Sequence, residues 1–151
     1  MPFAGTFTLY AVTSITSGSK AVFTGAQSGT GFIDITSSAT VTVSTDAGST
    51  AFAQYTGVYN TPAFIRVRRE ATNNVYFAAT GQAETKLGLL SGTITLSQAF
   101  AATNGTLYNP VTNVFAEMWI SDTDTVNNAG DQDKYLIKYL QQRYPGVTFP
   151  Q

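Results

Sequence analysis

The sequence predicts an all-β fold that is closed by one C-terminal helix. Short segments across residues 6–120 alternate between apolar and polar side chains, which is typical of strands with one buried face. Stretches rich in Gly, Ser and Asn separate these segments and supply the turns. A convincing helical spacing of apolar side chains occurs only near the C-terminal end, over about residues 130–144.

Length and composition limit the class of protein. The chain has 151 residues, enough for one domain with a full core, and no linker or internal repeat divides it. Charged residues make up 11% of the chain, against roughly 25% in an average soluble domain. Small Thr, Ser, Ala and Gly residues replace them. A neutral polar surface costs less to bury against another protein than a charged surface does.

Several classes of function are excluded by what the chain lacks. Cys and His are both absent, which rules out disulfides, thiolate nucleophiles, imidazole bases and His–metal sites. The net charge of −1 argues against nucleic-acid binding through phosphate neutralisation. No apolar run approaches the roughly 20 residues needed to cross a bilayer, and no signal peptide is visible. We therefore expect no nucleic-acid partner and no membrane association.

The alternating segments define the strands in order. In the first segment, Phe7, Leu9 and Ala11 share the face that is expected to enter the core. In a later segment, Ile65 and Val67 share one face and the neighbouring arginines share the other. The same pattern predicts strands at residues 31–35, 40–43, 62–70, 75–78, 92–97 and 114–120, with turns at 17–19, 27–31, 46–49 and 71–74.

The predicted helix, residues 130–144, has an apolar stripe and signals at both ends. The stripe consists of Leu136, Ile137, Leu140 and Tyr144. Asn128 or Asp131 is expected to cap the start, and Pro145 with Gly146 to end the helix. Since no second helix is predicted, the stripe must cover a β-surface. Beyond the helix, the apolar Phe149 is expected to dock on the domain or on a partner.

The order of these elements resembles the concanavalin A-like lectin/glucanase fold in its laminin-G-like form. Three parts of the chain carry the resemblance: FTLYAV at 7–12 with AVFTG at 21–25, the hairpin FIRVRREATNNV at 64–75, and VFAEMWI at 114–120 with YLIKYL at 135–140. The last part is similar to the final strand and closing helix of many phage-borne and bacterial members. The resemblance implies one antiparallel jelly-roll β-sandwich domain over residues 1–151.

No catalytic constellation is visible in the sequence. The Glu-x-Asp-x-x-Glu strand motif of the lectin/glucanase glycosidases is absent, and Glu70, Glu84 and Glu117 each stand alone. Glu117 falls in a stretch similar to the family's non-catalytic Ala-Glu pair, which favours a structural role. We therefore predict that the protein is not an enzyme, and a glycosidase is the least favoured alternative.

Two groups of charged residues are candidates for ligand contacts. Asp122 and Asp124 begin the densest group of oxygen ligands, but the EF-hand spacing fails at Val126, so loop and capping chemistry competes with a calcium site. Apart from this calcium alternative, no cofactor is expected. Arg66 and Arg68 point the same way and can grip a carboxylate, a sugar acid or a neighbouring subunit, unless they form a solvated strand face.

Aromatic residues give a further set of candidates. Tyr55 and Tyr59 flank a Thr-Gly-Val segment in a predicted loop and are the candidates for an exposed contact with a sugar ring or a partner. Trp119 lies between Met118 and Ile120 on a predicted core strand, where burial is favoured.

The leading functional prediction is a non-enzymatic phage virion structural protein, either a capsid decoration (cement) or head-surface module. It follows from the low charge, the absence of Cys and His, and the resemblance to phage-borne domains. Such a protein would contact capsid or tail proteins of the same particle, form a homo-oligomer and reach the virion from the host cytoplasm. The alternative is a carbohydrate-binding adhesin module of a tail fibre or other receptor-binding structure, which would bind a host glycan.

Overall fold

A computed structural model of the chain describes residues 2–3, 5–14, 20–24, 32–36, 40–46, 50–54, 62–95, 98–99, 114–127 and 130–150. Its strands are β1 Pro2–Phe3, β2 Phe7–Ser14, β3 Lys20–Thr24, β4 Phe32–Thr36, β5 Thr40–Ser44, β6 Thr50–Gln54, β7 Ala63–Arg69, β8 Asn74–Ala79, β9 Thr85–Leu89, β10 Ile94–Thr95, β11 Gln98–Ala99 and β12 Val114–Ser121. One helix, α1 Gln132–Arg143, follows them. Tyr55 and Tyr59 lie outside the described residues.

The longer strands form two five-stranded antiparallel sheets. The first sheet has the order β12-β2-β7-β8-β9, and the second has the order β11-β3-β4-β5-β6. Strands β1 and β10 pair separately. A mostly β chain with antiparallel sheets and a C-terminal helix is confirmed. The sequence pattern did not predict β1, β6, β9 or β11, and the segment that forms β3 was singled out only by the family resemblance.

The inner face of the first sheet forms the larger hydrophobic core. Phe7, Leu9 and Ala11 of β2 are fully buried there, as their alternation predicts. Strand β7 adds Ile65 and Val67 on the same face. The rest of this core comes from Val43, Val75, Phe77, Ala79, Leu90 and Ile94.

The outer face of the first sheet is covered by α1 and the C-terminal segment. Tyr10, Val12 and Phe64 point to this side and pack against Ile137, Leu140 and Phe149. The expectation that the helical stripe covers a β-surface is confirmed, and Phe149 docks on the domain itself. Its ring centroid lies 5.0 Å from that of Phe64.

The start of α1 differs in one detail from the prediction. Asp131 occupies the N-cap position, but its side chain makes no capping hydrogen bond. Its carboxylate instead accepts a bond from Lys134 Nζ at 2.9 Å. Asn128, the other predicted cap, lies outside the described residues.

Replacing Phe149 by Ala removes a ring that is only 6% exposed and leaves a cavity beside Phe64. We expect the free energy of unfolding to fall by about 3 kcal/mol, as for other buried Phe→Ala changes, measured by urea denaturation. Leu89→Ala is the control because Leu89 is 65% exposed, and it should change stability by no more than about 0.5 kcal/mol. Equal stability of the two variants would contradict docking of the C-terminal segment.

Candidate functional site

An open groove lies on the outer side of the first sheet, between strand β12 and helix α1. Its volume is about 470 Å³. It is lined by Tyr10, Trp119, Ile120, Ser121, Thr125, Gln132, Tyr135, Leu136 and Tyr139, and we call it the aromatic groove.

The strand wall of the groove follows from the alternation of β12. Met118 and Ile120 pack against the inner core, so Trp119 between them points to the opposite face. Its partner across the sheet is Tyr10, whose side chain also lies on the outer face. An irregularity in the β12–β2 register between Phe115 and Glu117 precedes this stretch. The sequence expectation that favours burial of Trp119 is therefore wrong, since its side chain is 47% exposed.

The helical wall of the groove comes from residues three and four apart on α1. Gln132, Tyr135, Leu136 and Tyr139 lie on one side of the helix because this spacing returns to the same face. Tyr135 is 70% exposed and Tyr139 is 39% exposed. The rings of Trp119 and Tyr139 meet edge to face, with centroids 6.0 Å apart. Three of the four large exposed hydrophobic side chains in the described part of the chain therefore border one groove.

The Glu117 carboxylate accepts hydrogen bonds from the polar groups of two of these rings, Trp119 and Tyr139. Glu117 Oε1 accepts hydrogen bonds from Trp119 Nε1 at 2.8 Å and from the Tyr139 hydroxyl at 3.1 Å. Its other oxygen, Oε2, accepts a bond from the Tyr144 hydroxyl at 3.0 Å and pairs with Arg143 Nε at 2.9 Å. Burial alone would raise the pKa of Glu117, but these donors and the Arg143 charge lower it.

The floor of the groove ends in a buried phenol. The Tyr10 hydroxyl donates to Asp133 Oδ1 at 2.5 Å and lies 2.5 Å from Thr125 Oγ1. Burial, together with the bond to Asp133, raises the pKa of Tyr10, so this residue stays a neutral phenol. Tyr10 thereby connects the groove to a set of charged residues beside it.

Arg66 and Arg68 are buried on the outer face of β7, with 7% and 5% exposure. Arg66 pairs with Asp133 at 2.7 Å and with Glu84 at 2.9 Å. Arg68 pairs with Glu84 at 2.5 Å and with Asp124 at 3.1 Å. The carboxylates that these arginines grip are therefore the chain's own. Burial opposes the charge of Glu84, yet the two arginines bring its pKa below the ordinary value of 4.5.

The residues predicted for calcium take different places in the structure. The Asp124 carboxylate is fully buried and accepts bonds from Arg68, from Asn127 Nδ2 at 2.7 Å and from the Val126 N–H at 3.3 Å. Asp122 is exposed, and its backbone carbonyl accepts a bond from Thr6 Oγ1 at 3.0 Å. Within the described ranges, no three acidic side chains are grouped so that they can hold a metal ion. The Asp124 oxygens that calcium would need thus accept hydrogen bonds from Arg68 and from the surrounding loop.

The sequence interpretation missed the groove because it did not single out Tyr135 and Tyr139. Both lie off the apolar stripe of the helix, four residues apart. Two aromatic residues on the side of a helix that faces away from the main stripe are a usable signal, since large aromatic side chains are costly to leave in water.

Comparison with models of known protein families finds no match to the chain, and comparison with curated proteins finds none either. In the part of the chain that the structure describes, no helix is both long and apolar enough to cross a membrane.

Replacing Arg68 by Met keeps much of the side-chain volume but leaves Asp124 buried without its cation. We expect the free energy of unfolding to fall by about 3 kcal/mol in urea denaturation, the low end for a broken buried pair because Glu84 is 21% exposed. Lys134→Met is the control, since Lys134 belongs to an exposed pair with Asp131 and should give no measurable change. An R68M protein as stable as its parent would contradict a structural role for the network.

Proposed function

We propose that the two five-stranded sheets face each other as a β-sandwich of the jelly-roll kind. Val43 of β5 joins the core formed by the first sheet, which supports face-to-face packing. The pairing of β2 with β12 and of β3 with β11 supports a two-stranded ribbon that runs through both sheets, as in a jelly roll. Between these pairs, β3 to β6 and β7 to β9 follow one another as meanders.

We propose further that the protein is a non-enzymatic carbohydrate-binding module and that the aromatic groove is its ligand site. The observation that carries the proposal is the exposure of three aromatic side chains, Trp119, Tyr135 and Tyr139, beside one groove. The polar ends of Trp119 and Tyr139 are already bonded to Glu117, so a ligand would contact the apolar parts of the rings that their edge-to-face contact leaves uncovered. A flat face that is apolar and held in place suits stacking on the C–H face of a sugar ring.

The lining of the groove favours a neutral ligand of small size. None of the nine lining residues carries a charge, so a charged sugar would gain no partner there. Ser121 and Gln132 add hydroxyl and amide groups that can hydrogen-bond to sugar hydroxyls. The volume of about 470 Å³ lies within the roughly 300–1,000 Å³ typical of small-molecule sites. A protein partner would require a much larger contact area.

The state of the acidic residues supports a binding role over catalysis. Glycosidases need two carboxyl groups that are free to act as an acid and a base or nucleophile. Glu84 is shared by Arg66 and Arg68, and Glu117 accepts three hydrogen bonds and pairs with an arginine.

We place this module on a phage particle, because the low charge and the resemblance to phage-borne domains point there. A capsid decoration protein is the second candidate, and Leu89 favours it. This side chain is 65% exposed on β9, the edge strand of the first sheet that lies farthest from β12. An edge strand presents unpaired backbone groups to which another chain can bond, and Leu89 adds apolar surface at that edge. The two candidate functions therefore depend on different surfaces, so substitutions in the groove and at Leu89 can test them separately.

Glycan binding is tested first with Trp119, which is the only tryptophan of the chain. A neutral host-surface glycan that binds in the groove should change its fluorescence in a saturable way, both with and without calcium. Trp119→Ala should abolish binding in calorimetry. Tyr135→Ala should weaken it about three- to tenfold, the equivalent of one ring contact. Leu89→Ala, far from the groove, should bind as the parent does. Flat responses across an array of neutral glycans would contradict the proposal.

The position on a particle is tested by immunogold labelling of intact particles from the source lysate. Label at the tail or fibres is expected for the adhesin, and Leu89→Glu should leave that attachment unchanged. Label over the head, lost with Leu89→Glu but kept with Trp119→Ala, would favour the decoration protein. The absence of label on any particle would contradict the virion assignment.

A further inference from the structure

Four side chains of the groove region converge on one acidic group. Glu117 lies on β12, one alternation before Trp119, and both point to the outer face. Tyr139 and Arg143 belong to α1, and Tyr144 follows its last turn. The carboxylate therefore bonds to its own strand and to the second half of the helix at once.

We infer that Glu117 is the positioning residue of the aromatic groove, and that ligand affinity falls when its carboxylate is neutralised. This inference rests on the proposed carbohydrate-binding function. Glu117 does not line the groove itself, so it acts through the two rings that it holds.

The geometry gives each oxygen of Glu117 a separate task. Oε1 bonds to Trp119 Nε1 and to the Tyr139 hydroxyl, which fixes the two rings relative to each other. Oε2 bonds to the Tyr144 hydroxyl and pairs with Arg143, which fixes the end of the helix against the strand. The Arg143 side chain is 58% exposed, so water and salt screen its pair with Glu117. The neutral donors therefore carry most of the positioning.

A ring that is already oriented loses less conformational freedom when a ligand binds. Without Glu117, Trp119 and Tyr139 would sample several rotamers, and the ligand would have to select one of them. Immobilising two side chains on binding weakens affinity by roughly tenfold. The rings and the lining residues would remain the same, so the loss of affinity would come from the lost order of the two side chains and not from lost contacts with the ligand.

Acid offers a second way to neutralise this residue. The groups that face Glu117 are Tyr139, Arg143 and Tyr144 from the helical side and Trp119 from its own strand. The neighbouring strand β2 places the apolar Val12 opposite Glu117. In the acid range the tyrosines stay neutral and the arginine stays charged, so Glu117 is the group in this set that titrates.

The sign of the effect follows from the direction of the pKa shift. Burial opposes ionisation, but the bonds from Trp119, Tyr144 and Tyr139 hold the folded-state pKa of Glu117 below its ordinary value of 4.5. The ordered groove is therefore fully present above pH 4.5 and is lost as the pH falls through the lowered pKa.

The test uses ligand-free protein first, with acrylamide quenching and fluorescence anisotropy of Trp119 as readouts. Glu117→Gln keeps the side-chain size but loses the charge and one of the two acceptor oxygens. We expect increased quenching and lower anisotropy at pH 7, and no further change down to the pH where the parent shows its acid transition. Glu70→Gln is the matched control, because Glu70 also accepts bonds from Thr72, Asn74 and Tyr76 but lies at the β7–β8 turn. It should behave as the parent does.

Ligand affinity is measured next, with a neutral glycan that the parent binds. Glu117→Gln should weaken binding roughly tenfold at pH 7. Far-UV circular dichroism at each pH separates loss of ring order from unfolding. If Glu117→Gln does not fold, Tyr139→Phe removes one bond to the carboxylate and keeps the ring, and it should increase quenching of Trp119 in the same direction.

The outcomes distinguish the inference from the function on which it rests. Quenching and anisotropy of Glu117→Gln or Tyr139→Phe equal to the parent values would overturn the positioning role, whatever the protein binds. If the variants show changed quenching but the parent protein binds no glycan, the positioning of the rings is upheld and the proposed function is overturned. Changed quenching with unchanged glycan affinity would overturn the link between ring order and binding.

Discussion

The pairing of two buried arginines with three carboxylates is the constraint on which the outer half of the structure depends. Arg66 and Arg68 stand on the outer face of β7, and their partners Glu84, Asp124 and Asp133 come from three separate segments. Each charge is costly to bury unless it is paired. The loop after β8, the loop after β12 and the first turn of α1 must therefore meet at one place. Few other arrangements of these segments would satisfy all five charges.

This constraint fixes the orientation of α1 as well as its position. Asp133 lies in the first turn of the helix and bonds to both Arg66 and Tyr10. Once that turn is held, the three-to-four spacing decides which residues face β12, and these are Tyr135 and Tyr139. The pairing is incomplete in one respect, since Arg66 Nε is buried without a hydrogen-bond partner among the described residues. Such a group lowers stability, so the network defines geometry more than it adds free energy.

The sequence predicts the parts of this arrangement that depend on local periodicity. Alternation at Phe7 and Leu9 identifies the core face of β2, and the apolar stripe identifies a helix that covers a sheet. Strand β9 was not predicted, because its residues lack a clean alternation and lie mostly exposed or half-buried at a sheet edge. The burial and pairing of Arg68 could not be predicted from local pattern either, since its partner Asp124 lies 56 residues away along the chain. The local sequence pattern of a polar strand face is the same whether water or carboxylates from distant segments cover that face.

The exposure of Trp119 follows from the position of β12 at the edge of its sheet. An inner strand would have neighbours on both sides, and a helix laid over it would bury the ring. Among the strands that the structure describes, β2 alone lies beside β12, so α1 covers the outer face incompletely and leaves a groove along the edge. The helix is held at its first turn by Asp133 and at its end by the Tyr144 hydroxyl, which bonds to Glu117 beside the screened Arg143 pair. These placements also suit the helix dipole, which favours an acid at the start and a base at the end. A groove between two fixed ends can keep exposed aromatic rings in place without burying them, and this combination of order and exposure is what stacking on a ligand requires.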